Sequence, residues 1–486
     1  MFPLAFCDII QPNVLIKGEG NMLFSSLIFV LLFLPVFILI YHAVARNPYN
    51  IKGANIVLLA ASLIFYMFGG LFGVLMLFIA TIIGWAGGFI MDMTRNRPGL
   101  HKALFAIWIG LLVGMLGFFK YAGFFSDIVM PVGMSFYIFK LISYVADCYN
   151  EKAEPEESFT AFLIFTASFH HVMQGPIVRY GDVSESIRSR TYSVANMSKG
   201  IYRFSLGLFK KAVLADHMGE LSDILLPVND SINSVPALGV WMGMFFYSMQ
   251  LYLDFSAYSD MAIALGQMIG FEYPENFNYP YISKSVKEFW NRWHISLSTF
   301  FKDYVYIPLG GNRKGEGRRN INLLVVWLLT GIWHGATLNF VLWGLFYFVF
   351  IEIENYSKGM ERLPGIIKHL YTILVFSIGW LIFKCTDAGV LGKALIGLFG
   401  INGNGFTNTA VKLTVSNNLF FIIVCVLACT PLYHVIDKKI AVGVKKNAIP
   451  AGFLFGLRTV LSFAALIIAI YVMAGSSFRP FLYNQF

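Results

Sequence analysis

Charge is what this sequence has least of. Asp, Glu, Lys and Arg make up 13% of its 486 residues, against 57% hydrophobic residues and a mean hydropathy of +0.67. That balance excludes an ordinary soluble domain and points to an integral membrane protein. No internal repeat, low-complexity tract or long polar linker is present, which argues against solenoids and against a separate soluble module. The five cysteines (Cys7, Cys148, Cys385, Cys425 and Cys429) show no metal or redox spacing, and no chemistry is assigned to them. The excess of 36 Lys and Arg over 27 Asp and Glu gives a net charge of +9. It calls for no nucleic-acid partner, because cytoplasmic loops of membrane proteins are enriched in Lys and Arg.

What the sequence does have is long apolar runs. Residues 22–45, MLFSSLIFVLLFLPVFILIYHAVA, reach roughly 36 Å at about 1.5 Å per residue, more than a hydrocarbon core. The run is too long for a cleaved signal peptide, and no small-residue cleavage pattern follows it. Residues 1–21 are predicted to form an N-terminal extension or interfacial segment, and 22–486 a single membrane domain. Residues 54–91, broken by Gly69-Gly70, predict two passes joined by a tight turn. The basic loops 46–52 and 95–102 then share a side, which the Lys/Arg rule makes cytoplasmic. Further candidate spans are 103–120, 128–149, 159–173, 237–253, 322–333, 338–353, 366–383, 418–436 and 452–474. The prediction is an all-α polytopic protein of about eleven spans, the shorter pieces being re-entrant or interfacial.

One segment breaks the pattern. In residues 283–308, SKSVKEFWNRWHISLSTFFKDYVYIP, aromatic residues alternate with charged ones at roughly helical offsets. This predicts an amphipathic helix, lying at the interface or dipping into a polar cavity.

Two Trp-His pairs stand out: Trp293-His294 in that segment and Trp333-His334 in the apolar TGIWHGATLNFVLWG. An ionisable group at membrane depth is costly and usually faces a bundle interior or a wet cavity. A single interhelical hydrogen bond would also account for such a histidine. Around His334, Gly331, Gly335 and Ala336 leave room for another backbone or a thin substrate, and Thr330, Thr337 and Asn339 offer polar partners. Burial favours the neutral imidazole, the form a general base needs to deprotonate a hydroxyl as it attacks an activated acyl group.

Other features read more plainly. Gly310-Gly311-Asn312-Arg313-Lys314 lacks the strand and helix of a nucleotide fingerprint and reads as a solvated basic loop. Asp254 and Asp260, unusual acids in LYLDFSAYSDMAIALG, either line a cavity or pair within the bundle. Gly175-Pro176 with Arg179 suggests a charged turn. Adjacent helical residues point about 100° apart, so His170 and His171 do not share a metal ion, and no metal site is expected.

Taken in order, MLFSSLIFVLLFLP, PVGMSFYIFKLISYVAD, QGPIVRY, LYLDFSAYSDMAIALG, EFWNRWHISLSTFFKDYVYIPLGGNRKG, TGIWHGATLNFVLWG and PFLYNQF resemble the membrane-bound O-acyltransferase superfamily, and within it the bacterial alginate O-acetylation branch. The resemblance implies helices around a central tunnel, with His334 as the catalytic residue and His294 as a second polar residue, assigned to stabilising the oxyanion. Trp333 and Trp293 would be aromatic walls, Asn339 or Thr330 orienting groups, and Asp260 a tunnel residue. No permanently bound cofactor is implied. Acetyl-CoA, or another acyl thioester, is the expected donor, with its nucleotide near Arg313 and Lys314 at the cytoplasmic mouth. The expected partners are the lipid bilayer, an extracytoplasmic SGNH-type acetyltransferase and an acceptor glycan, in a bacterial cytoplasmic membrane. D-alanyl transfer to teichoic acid and a non-enzymatic transporter are the alternatives.

Overall fold

The computed structural model describes residues 22–47, 49–124, 128–357, 359–446, 450–475 and 479–482. The predicted extension 1–21, Cys7 and the last residues of PFLYNQF lie outside them. The described residues contain helices and no β-strand, and they fall into two compact units.

The first unit comprises residues up to 208, 258–275 and 462–485. Its helices are α1 (Leu34–Ala45), α2 (Ile51–Met67), α3 (Leu71–Thr94), α4 (Pro98–Tyr121), α5 (Met134–Tyr149), α6 (Phe159–Ala167), α7 (Tyr180–Arg188) and α8 (Val194–Phe209). The predicted break between two passes is real: Gly70, at φ 92°, takes the left-handed backbone a glycine tolerates and separates α2 from α3. Along α3, glycines seat neighbouring side chains, Gly84 against Leu141, Gly87 against Trp108 and Gly88 against Tyr144. The expected span 159–173 is broken at Ser168, where α6 stops and a one-turn helix, Phe169–Val172, begins.

The second unit comprises 209–257 and 276–461. Its helices include α9 (Asp216–Leu225), α10 (Ala237–Met268, of which 237–257 belong here), α11 (Val286–Arg292), α12 (Ile295–Phe301), α13 (Glu316–His334), α14 (Leu338–Tyr356), α15 (Gly365–Lys384), α16 (Ala388–Leu398), α17 (Thr409–Asn417), α18 (Leu419–Ala428), α19 (Leu432–Lys445) and α20 (Ala451–Gly475, the part to Leu461). Leu226, Val240, Met244, Leu381, Leu391 and Leu398 form one buried cluster between α9, α10, α15 and α16.

Five described helices, α3, α4, α14, α15 and α20, are long and apolar enough to cross a bilayer, and a sixth span results if α17 and α18, bent by 60°, cross as one. The remaining expected spans are shorter helices or, like α10, longer and more polar. Helix α10 runs on past the predicted end at 253 because its acids are paired: Asp254 lies 2.7 Å from the buried Lys211, and Asp260 lies 2.8 Å from Arg203. Cys148, Cys385, Cys425 and Cys429 are all buried.

Candidate active site

The segment 283–308 does not form one amphipathic helix. It divides into α11 and α12, joined through Trp293 and His294, and continues as a wider turn over Lys302–Tyr306. The start of α11 is built from sequence-local caps. The Ser285 hydroxyl accepts from the Glu288 N–H at 3.0 Å, and the Glu288 carboxylate accepts from the Lys284 N–H at 2.9 Å. The Glu354 carboxylate of α14 accepts two further N–H groups, Val286 at 2.5 Å and Lys287 at 3.1 Å. Helix α11 ends at Arg292, and His294, which caps the start of α12, adopts φ 44° and ψ 56°, a left-handed backbone uncommon for a non-glycine residue.

Asn276 holds His294 there. Its Oδ1 accepts from the Ser296 N–H at 3.2 Å and the Ser296 hydroxyl at 2.8 Å, and its backbone carbonyl accepts from the Ile295 N–H at 2.9 Å. An atom that accepts an amide N–H is oxygen, so the 3.1 Å contact to His294 has Nδ1 as donor. Burial, at 1% exposure, pushes the His294 imidazole down to about 3. The ring is therefore neutral with its proton on Nδ1, and Nε2 carries the lone pair. A donor at Nε2, as oxyanion stabilisation requires, is not the form this geometry selects. Asn276 was missed in the sequence, where no local pattern marks it.

His334 closes α13 and is 4% exposed. Its ring meets Trp343 edge to face at 4.9 Å, Phe383 edge to face at 5.1 Å and Phe340 at 6.4 Å, with Trp333 at 4.7 Å. Trp333 also lies 6.3 Å from the His294 ring, so the two Trp-His blocks meet through this indole. Trp293 faces elsewhere, packing on Trp380 at 4.7 Å and on Phe277 at 5.1 Å. Trp380 in turn stacks 6.3 Å from Trp343, so Trp293 belongs to the wall with two rings, Trp380 and Trp343, between it and His334. Within this aromatic wall the Nε1 atoms of Trp290 and Trp343 and the Tyr347 hydroxyl are buried without a hydrogen-bond partner among the described residues.

The small residues around His334 serve backbone contact. A Cβ on Gly331 would lie 2.4 Å from the Phe340 carbonyl oxygen, and one on Gly344 2.3 Å from that of Trp327, so α13 and α14 cross backbone to backbone. The expected orienting groups are engaged elsewhere. Thr330 donates to the Val326 carbonyl at 2.8 Å, while Asn339 accepts from Thr337 and donates to the Ile382 carbonyl at 3.1 Å, tying α14 to α15. Asp260 belongs to the first unit, where Arg203 clamps it together with Glu275 at 2.6 Å. Arg313 and Lys314 are exposed on a tight turn in which Gly310 and Gly311 have φ 109° and 56°. Asn322 donates to the Gly311 carbonyl at 2.8 Å and fixes the turn. In the first unit, His171 and the buried Lys140 are 2.5 Å apart, and His170 meets the Tyr273 hydroxyl at 2.6 Å.

The membrane-bound O-acyltransferase family model matches residues 142–390, the stretch that carries both Trp-His blocks. A relative from Pseudomonas putida, named "Probable alginate O-acetylase AlgI", is 36% identical over 408 residues, covering 78% of this chain and 80% of its own. The chain belongs to the membrane-bound O-acyltransferase family. A peptidoglycan O-acetyltransferase of Helicobacter pylori is 32% identical over 79% of this chain and 80% of its own. A teichoic acid D-alanyltransferase of Bacillus subtilis is 28% identical over 49% of this chain and 63% of its own. As a family member of the alginate O-acetylation branch, the chain is a multi-pass membrane O-acyltransferase.

Proposed function

We propose that the protein moves an acetyl group from a cytoplasmic thioester, acetyl-CoA, towards a hydroxyl of an extracytoplasmic polysaccharide or peptidoglycan, by way of a partner acetyltransferase in a bacterial cytoplasmic membrane. Neutral His334 takes the proton of the acceptor hydroxyl as its oxygen attacks the thioester carbonyl. The C–S bond breaks as the tetrahedral intermediate collapses, and the imidazolium returns the proton to the departing thiolate. His294, presenting a lone pair at Nε2, accepts a hydrogen bond from the acceptor or from a donor amide. The aromatic wall keeps water from the thioester, and its buried indole and phenol donors are placed to meet a carbonyl oxygen.

The observation that carries this reading is that two histidines distant in sequence both pack against one indole, Trp333, His334 at 4.7 Å and His294 at 6.3 Å, within a shell of aromatic rings. The test is a reconstituted transfer assay with labelled acetyl-CoA or a D-alanyl carrier protein as donor. His334→Ala should lower transfer by about 100-fold or more with membrane insertion intact, the scale of a lost general base. Undiminished turnover in that variant would remove His334 from the mechanism, and label arriving only from the carrier protein would replace the donor.

A further inference from the structure

A second polar site lies in the first unit, among residues to which acyl transfer gives no role. A cavity of about 330 Å³ opens where α1 ends and α2 begins, lined by Tyr41, Arg46, Asn50, Arg190, Tyr192 and Val194 among others. At roughly 30 Å³ per water it has room for about ten, which is headgroup size rather than single-ion size.

Its charge is one-sided. Arg190 is held only by neutral acceptors: the Tyr41 hydroxyl at 2.8 Å, the Asn55 side-chain oxygen at 2.6 Å, and the carbonyls of Ser186 at 3.1 Å and Ile269 at 3.2 Å. Its guanidinium also lies over the Phe271 ring at 4.5 Å, and its Nη2 is buried without a hydrogen-bond partner among the described residues. The guanidinium is fixed by dipoles and a ring, and among the described residues no carboxylate pairs with it. Arg46 adds a second cation at the rim, and the first turn of α2, capped by Asn50, adds the positive end of a 17-residue helix. Apolar surface adjoins it as well: the lining residue Val194 is 82% exposed, and Tyr49, next in sequence to the lining residue Asn50, is 93% exposed. Loop 46–52 belongs to the side that the Lys/Arg rule makes cytoplasmic, the level at which anionic headgroups lie.

We propose that this cavity binds the phosphate of an anionic phospholipid headgroup, with Arg190 as the preset anchor, Arg46 as the closing contact, and Val194 and Tyr49 against the acyl chains. The inference is independent of the acyl-transfer reading.

The test is native mass spectrometry of the full chain released from nanodiscs of phosphatidylcholine with or without phosphatidylglycerol. The expected result is one retained phosphatidylglycerol per chain in preference to phosphatidylcholine. Retention should weaken about tenfold in Arg46→Gln, the effect of one lost charge-assisted hydrogen bond. Because Arg190 also ties three segments together, Thr191→Trp, which adds bulk to a lining residue while keeping both arginines, serves as the second variant and should show the same loss. Equal retention of both lipids, or undiminished phosphatidylglycerol in both variants, would overturn the proposal. Displacement of the lipid by micromolar free coenzyme A would overturn it too, reassigning the cavity to a soluble phosphate.

Discussion

His294 sits in a strained left-handed backbone with its Nδ1–H spent on Asn276, so the tautomer of its ring is set by a neighbour 18 residues away in sequence. Asn276→Leu should leave the His294 Nδ1–H and the Ser296 N–H without their shared acceptor, a cost of about 1–3 kcal/mol. Asn276→Asp should instead raise the imidazole pKa from about 3, because a carboxylate stabilises the charged ring, and so move the acid limb of the activity profile upward. A profile that stays put in Asn276→Asp, with chemistry rate-limiting, removes the positioning role. Stability follows the same group. The unfolded imidazole takes up a proton below about 6.5 and the folded one only near 3. Stability contributed by the neutral ring is therefore present above 6.5 and is lost as pH falls, at up to about 1.4 kcal/mol per pH unit. Thermal unfolding at pH 7 and pH 5 should show a smaller drop in His294→Asn than in the parent, and asparagine tolerates the left-handed backbone. At this scale the two Trp-His pairs were legible in the sequence, since a histidine in an apolar run announces its own cost. Asn276 was not, because a partner 18 residues upstream leaves no local periodicity.

The crossing of α13 and α14 explains why the stretch around His334 is rich in small residues. Gly331 and Gly344 let the two backbones touch, so the room visible in the sequence is occupied by a helix. Gly344→Ala should force the helices apart at a cost of about 1–3 kcal/mol, and it should lower transfer as His334 moves with α13. Gly317→Ala, with open space around the new methyl, is the matched control. Unfolding midpoints of the two variants decide the matter, and equal midpoints would mean that the crossing is not tight. Helix α10 makes the complementary point. Lys211, 1% exposed, lies 2.7 Å from both Asp254 and Asp216, and Lys211→Met should destabilise by about 3–5 kcal/mol by removing one partner of a buried ion pair. Hydropathy ended this span at its first acid because pattern alone cannot see a counter-ion from another element. The same blindness made one helix of 283–308. Its aromatic spacing is helical, but a single left-handed residue interrupts it.

Across the whole chain, composition was enough to establish a helical membrane protein, and ordered motifs were enough to suggest the family. The number of spans was less legible. Long apolar helices such as α3 and α4 stand out by length, whereas short or polar ones owe their place to glycine seats and buried pairs that a window of hydropathy averages away. The sulfur atoms offer a practical return on this architecture. Since Cys148, Cys385, Cys425 and Cys429 are all shielded in the folded chain, a maleimide added to intact protein in which Cys7 is replaced by Ser should find almost nothing to react with until the helices come apart. The four native thiols then become a built-in melting gauge. A single cysteine introduced into loop 46–52 or at Arg313 would report by labelling which side of the bilayer each loop faces, with no need to strip the protein of its natural ones.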